Sequence, residues 1–187
     1  MAEKVLFTVT KPPSEAKTKF SGRKETHPNS KFDGKNYQVA FMFKDDSEGI
    51  VNVNNDITDI KQHPIVLWKS LDIDTPFFKE CLNRKLIIGE MSFHFFHSRG
   101  KDKHPMNHFT IILKGVKVIQ SQIIHFDISE PHDPEQGAFN KNLSRPYIEQ
   151  LKLTAADITW KYKRDSAPRK ETKSTQFKIG GPVEDDE

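Results

Sequence analysis

At Gly115 a long run of alternating residues changes phase. Phe109, Ile111 and Leu113 hold odd positions before it, and Val116 and Val118 hold even positions after it. A period of two marks a strand, and one residue inserted into that phase at a glycine predicts a β-bulge. The run Leu151 to Tyr162 repeats the pattern: Leu151, Leu153 and Ala155 are odd, Ile158, Trp160 and Tyr162 are even, and the slip falls at Ala155-Ala156. Residues 109 to 126 fully extended would reach roughly 60 Å at about 3.3 Å per residue, several times the usual strand. A strand that long has to turn a sheet corner, and bulges keep both halves facing one core. The expected fold is mostly β, a compact β-barrel or orthogonal two-sheet sandwich with one short flanking α-helix.

The other strands follow from the same alternation. Met91, Phe93 and Phe95 alternate with Glu90, Ser92 and His94, so residues 87 to 126 read as one long hairpin around a polar loop, His97 to His108. Val5, Phe7 and Val9 give a first strand that Pro12-Pro13 stops, Tyr37 to Phe43 a second, and Ile65 to Trp68 a short third. The helix spans Thr75 to Lys85, with Thr75 as N-cap and Pro76 at the first helical position. Phe77 with Cys81 and Phe78 with Leu82 share its apolar face, and Arg84 and Lys85 suit its negative end. Residues 11 to 36 read as a polar, basic arm, and Val51 to Lys61 and the stretch between Phe126 and Tyr147 read as loops. Residues 1–163 form one expected domain carrying this arm, and 164–187 a flexible polar tail with a strand only at Thr175 to Ile179.

Composition narrows the function. With 35% of residues hydrophobic, the core has to be compact. A single cysteine, Cys81, rules out an internal disulfide and fits folding in a reducing cytoplasm. Neither a signal-peptide core nor a run of about 20 apolar residues is present, so no membrane insertion is expected. The net charge of +3 is too mild to indicate nucleic acid unless it is concentrated, and only the arm concentrates it.

The motifs for chemistry are sparse. His94, His97, His104 and His108 gather around the hairpin, but His-Glu-x-x-His and Cys-x-x-Cys are absent, and His94 and His97 fall on opposite faces of a strand. His132-Asp133 and His125-x-Asp127 could be fragments of a triad, yet no nucleophile elbow accompanies them. Cys81 lies on the buried face of the helix, as a small inert hydrophobe does. The expectation is no enzyme, with no catalytic, cofactor-binding or metal-binding residue, and a structural or binding role.

From His63 to Lys163 the order of features resembles the Hcp (haemolysin-coregulated protein) family, the tube subunit of bacterial type VI secretion systems. The residues that carry it are His63-Pro64-Ile65-Val66-Leu67-Trp68-Lys69-Ser70-Leu71-Asp72, then Thr75-Pro76 and the helix, then the aromatic strand Met91 to Phe96. Phe109 to Val118, the Pro131-His132-Asp133-Pro134 loop and the final Glu149 to Leu153 and Ile158 to Tyr162 complete it. Residues 11 to 36 and the tail after Lys163 depart from the family's pattern. The resemblance implies a β-barrel that forms homo-hexameric rings, stacked into a hollow tube. Its implied partners are further copies of itself, contractile sheath proteins, a trimeric spike protein and effector proteins in the lumen. It implies a bacterial cytoplasmic origin and secretion without a signal peptide. The alternatives are a phage-like tail-tube protein, a monomeric nucleic-acid-binding barrel using the basic arm 17–35, and, least favoured, a zinc enzyme using the histidine cluster.

Overall fold

The computed structural model describes residues 5–24, 36–97, 106–125, 147–166 and 169–178. In chain order these form β1 (Val5–Lys11), β2 (Arg23–Lys24), β3 (Asn36–Lys44), β4 (Ser47–Val51), β5 (Ile57–Gln62), β6 (Ile65–Ser70), α1 (Thr75–Asn83), β7 (Ile87–His97), β8 (Met106–His125), β9 (Tyr147–Thr154), β10 (Asp157–Ser166) and β11 (Arg169–Lys178). Six strands close on themselves in the order β8-β7-β1-β3-β6-β9, because β9 also pairs with β8. Every pairing is antiparallel. Strand β10 adds to the other half of β8, and β11 lies outside it. The mostly β barrel with one flanking helix is thus as the alternation predicts.

Closure works because β8 is shared. Its first half pairs with β10 up to Lys114↔Asp157, and its second half pairs with β9 from Lys117↔Thr154. The phase change at Gly115 lies between these halves, but it is not a bulge. Two residues separate the flanking pairs on both strands, and on the β7 side Glu90↔Lys114 and Ile88↔Val116 leave one residue on each. None of β7, β8 and the β9–β10 junction carries an extra residue there, although the neighbouring β1 does, at Thr10 against Met91–Glu90. Instead β7, β8 and the β9–β10 junction bend together in register, and the buried face passes from Met91 to Ile88, from Leu113 to Val116 and from Ala155 to Ile158. Gly115 takes φ +61 at this corner, where an alanine or larger residue is strained. A bulge and a concerted corner leave the same trace in one strand's sequence. Further register shifts in the barrel occur at Ile119 against Leu153–Lys152, at His108 against Phe95–Phe96 and at Phe41 against Trp68–Lys69.

The core fills the barrel with Phe7, Leu67, Met91, Phe93, Leu113 and Leu151, and α1 adds Phe77, Phe78 and Cys81, all fully buried. Phe77 therefore offers nothing to a partner. Thr75 is the first residue of the helix rather than its cap. Asp74 precedes it, in helical backbone and without a side-chain cap bond. The helix ends in a Schellman turn, with Leu86 N–H donating to Cys81 O at 2.9 Å and Lys85 N–H to Leu82 O at 3.2 Å. Lys85 sits at φ 55, where glycine is usual.

Three polar stretches differ from expectation. The first part of the 11 to 36 arm is a strap bound to α1. Glu80 accepts the backbone N–H groups of Lys17 and Thr18 at 2.9 and 2.7 Å, and Asp74 accepts those of Ser21 and Gly22 at 2.6 and 2.9 Å. Phe20 packs on Phe7, Phe77 and Phe78 at ring separations of 6.0 to 6.2 Å. Composition could not reveal this, because the strap is held mainly through its backbone. Residues 25–35 lie outside the described residues. The loop expected at Val51 to Lys61 is the turn and second strand of a separate hairpin, β4–β5. The polar tail begins as strand: β10 continues to Ser166 and β11 spans Arg169–Lys178, earlier than the predicted Thr175.

Candidate functional site

The most enclosed polar group is a charged cluster where β6, β9 and α1 meet. Lys69 and Glu149 face each other across the β6–β9 pairing. Lys69 Nζ lies 2.7 Å from Asp72 Oδ1 and 3.0 Å from Glu149 Oε2, and it donates to Ser70 O at 2.9 Å. Thr75 and Ser121 hydroxyls donate to the two Glu149 oxygens, each at 2.7 Å. All three charged side chains are at most 1% exposed. A substrate has no path to them. Such a cluster fixes geometry, since deleting Lys69 would leave two buried carboxylates without their cation. The sequence shows Lys69-x-x-Asp72, but Glu149 joins only through strand pairing.

The histidines do not converge. His94 Nε2 lies 3.2 Å from Ser92 Oγ and its Nδ1 3.2 Å from the Asn107 amide. His125 packs on Tyr147 at 5.0 Å, and His63 Nε2 lies 3.4 Å from Glu48. Among the described residues no three His, Cys, Asp or Glu side chains are placed to hold a metal. The His97 side chain, His104, Asp127, His132 and Asp133 lie outside the described residues. Cys81 is buried, and desolvation, then the negative charge of Glu80, pushes its thiol up to about 11. A thiolate nucleophile is therefore disfavoured there. A cavity of about 50 Å³, lined by residues including Ile65, Leu153, Ala155 and Ile158, is too small for a typical organic ligand.

What the structure does present is surface. In the hairpin β4–β5, Gly49 pairs with Ile60 and Val51 with Ile57, so Val51, Ile57 and Ile60 share one face, with the Ile57 side chain over Gly49. That face is exposed, with Ile57 at 68%. The opposite face carries Glu48, Asp59 and Lys61 with the exposed Ile50 among them, and Lys61 and His63 pair with Glu48 at 3.3 and 3.4 Å. An isolated two-stranded hairpin is marginal in water, and this one shows its apolar side to solvent. Asparagines and aspartates at its turn made the stretch read as loop. The signal for the hairpin was the pair of β-branched runs on either side, Ile50-Val51 and Ile57-Thr58.

Among the described residues no helix is long and apolar enough to cross a membrane. The described residues form a closed antiparallel barrel with its interior filled, its charged cluster sealed and an amphipathic hairpin left outside. The barrel itself is that of the Hcp proteins. A crystal structure titled as that of an Hcp protein matches with a TM-score of 0.66 at 12% identity, covering 94% of this chain and 100% of the other. A type six secretion system protein matches at 0.65 and 10% identity, covering 95% and 96%. The secreted protein Hcp3 from Pseudomonas aeruginosa matches at 0.59 and 11% identity, covering 95% and 99%. At these identities the likeness establishes the fold. No protein-family model and no curated protein sequence matches the chain.

Proposed function

We propose that this chain is a structural tube subunit of a type VI secretion system. Copies close into six-membered rings, the rings stack into a hollow tube, and the tube leaves the bacterial cytoplasm without a signal peptide. Sheath proteins, a trimeric spike and effectors in the lumen are its partners in this reading. The observation that carries it is the combination of the Hcp barrel with an exposed amphipathic hairpin that nothing in the described chain covers. A barrel that associates head to tail through unlike surfaces closes into rings or extends into filaments. The test is expression in a bacterium with a working secretion apparatus. The chain is expected in the medium when the sheath contracts and to stay in the cells when the sheath gene is deleted. Export that is independent of the sheath contradicts the reading.

A further inference from the structure

The hairpin β4–β5 stands apart from the barrel. Among the described residues it forms a sheet of its own, and no barrel strand pairs with β4 or β5. It joins the barrel through Asp45-Asp46 on leaving β3 and through His63-Pro64 on entering β6. The cavity of about 50 Å³ borders this root, with Gln62 and His63 lining it beside Ile65, Leu153, Ala155 and Ile158. A void has no atoms to press against the root, so packing does not fix the direction in which the hairpin leaves.

Hydrogen bonds fix it instead. Gln62, the last residue of β5, donates through Nε2 to Asp45 Oδ1 at 2.8 Å and to Asp46 O at 3.0 Å. The His63 N–H donates to Asp46 O at 2.9 Å. These bonds tie the two root segments to each other and leave their direction relative to the barrel open. One further bond closes it: Trp160 Nε1 of β10 donates to the other carboxylate oxygen, Asp45 Oδ2, at 3.0 Å. Trp160 is a firm anchor, because it pairs with Ile111 of β8 on one side and Thr175 of β11 on the other, and it packs on the core. The hairpin itself is stiff. Asn52 Oδ1 accepts the N–H groups of Asn54 and Asp56 at 2.8 and 3.0 Å across the turn, and Thr58 Oγ1 donates to Ile50 O at 3.0 Å. On the return side Pro64 fixes its own φ and restricts His63 before it, so a swing of the whole hairpin has to occur at Asp45-Asp46.

We infer that Asp45 is a hinge pin. Its carboxylate joins the hairpin, through Gln62, to the barrel, through Trp160, and so sets the angle at which Val51, Ile57 and Ile60 are presented. Asp45 is a positioning residue for that surface. A carboxylate suits the place because it turns an acceptor oxygen to each side, whereas an amide would set its own donor against one of the two donors. A surface held at one angle loses less orientational freedom when a partner binds it. The pin acts whatever the hairpin binds, so it stands apart from the tube-subunit reading.

Two nitroxide labels on the full chain read the angle directly, one at Val53→Cys in the fully exposed hairpin turn and one at Lys117→Cys on the exposed side of β8. Cys81 is buried and takes no label. Labelled chain is diluted into unlabelled chain, so that only spins within one copy are read. With Asp45 intact the distance distribution should be one narrow peak. Asp45→Ala should widen it about twofold, since both charge-assisted bonds are lost, and Trp160→Phe should widen it as far while leaving the Gln62 bond in place. The β4–β5 amides should stay as protected from hydrogen exchange as in the parent chain, because the hairpin keeps its own pairing. A distribution equally narrow in all three chains overturns the pin. So does loss of β4–β5 protection in Trp160→Phe, which would make Asp45 a staple of the hairpin's own fold rather than of its direction. Rings of six with an unchanged distribution would leave the tube reading standing and remove the pin. A widened distribution in a chain that forms no rings would do the reverse.

Discussion

Gly115 of β8 faces Ala156 at the β9–β10 junction so closely that a Cβ on the glycine would lie 3.0 Å from the alanine Cβ. The two residues mark the corner where three strands bend together. Gly115→Ala should lower stability by about 1–2 kcal/mol from the left-handed backbone alone. Gly115→Val should cost about 3 kcal/mol, because its branched side chain also meets the alanine. Urea unfolding at fixed protein concentration measures both. Ala156→Gly in the Gly115→Ala background should recover only the contact. Full recovery would mean that φ is not what requires glycine here.

Lys69 balances two carboxylates that no water reaches. Lys69→Met should destabilise the fold by about 3–5 kcal/mol, the usual result of stranding buried charge. Adding Glu149→Leu should return part of that loss, and a double-mutant cycle reads the coupling. If Lys69→Met costs under about 1 kcal/mol, the cluster is not a lock.

Lys85 occupies the left-handed position of the Schellman turn that ends α1. Lys85→Gly relieves that strain and should raise stability by about 0.5–1 kcal/mol. A shift of the urea midpoint to higher concentration at unchanged slope is the expected sign.

Glu80 holds the strap, and its folded carboxyl is lowered from 4.5 to about 2. The Thr18 hydroxyl is the largest cause, followed by the Lys17 and Thr18 backbone N–H groups, with a smaller contribution from Arg84. A lowered folded value means that the carboxylate stabilises the fold above about 4.5 and loses this as pH falls towards about 2. Protection of the Lys17 and Thr18 amides from hydrogen exchange, taken relative to their intrinsic rates at each pH, should fall across that window. Glu80→Gln should lower it at neutral pH and flatten the dependence.

The parts of the fold legible in the sequence were those where burial acts on alternate side chains. Met91 to Phe95, Phe109 to Leu113 and Leu151 to Ala155 declare a strand because one face is oily. The helix at Phe77-Phe78 shows for the same reason. The strap at Lys17 to Gly22 was not legible, because carboxylates hold it by backbone N–H groups that any sequence has. Glu149 could not be tied to Lys69 from residues 80 positions apart without the register of β6 on β9. The hairpin at Ser47–Gln62 was hidden because both its faces are open to solvent, so polar and apolar residues mix without a clean period. The exposed hairpin is therefore the surface that sequence patterning describes least.

The central claim is that copies of this barrel close into rings of six. The absolute mass of the purified native chain by light scattering, with negative-stain images of the same peak, tests it most directly. The account predicts a species of about six times the 21.6 kDa chain, seen as rings with an open centre. A single sharp species at the mass of one chain, unchanged as concentration rises, would contradict it.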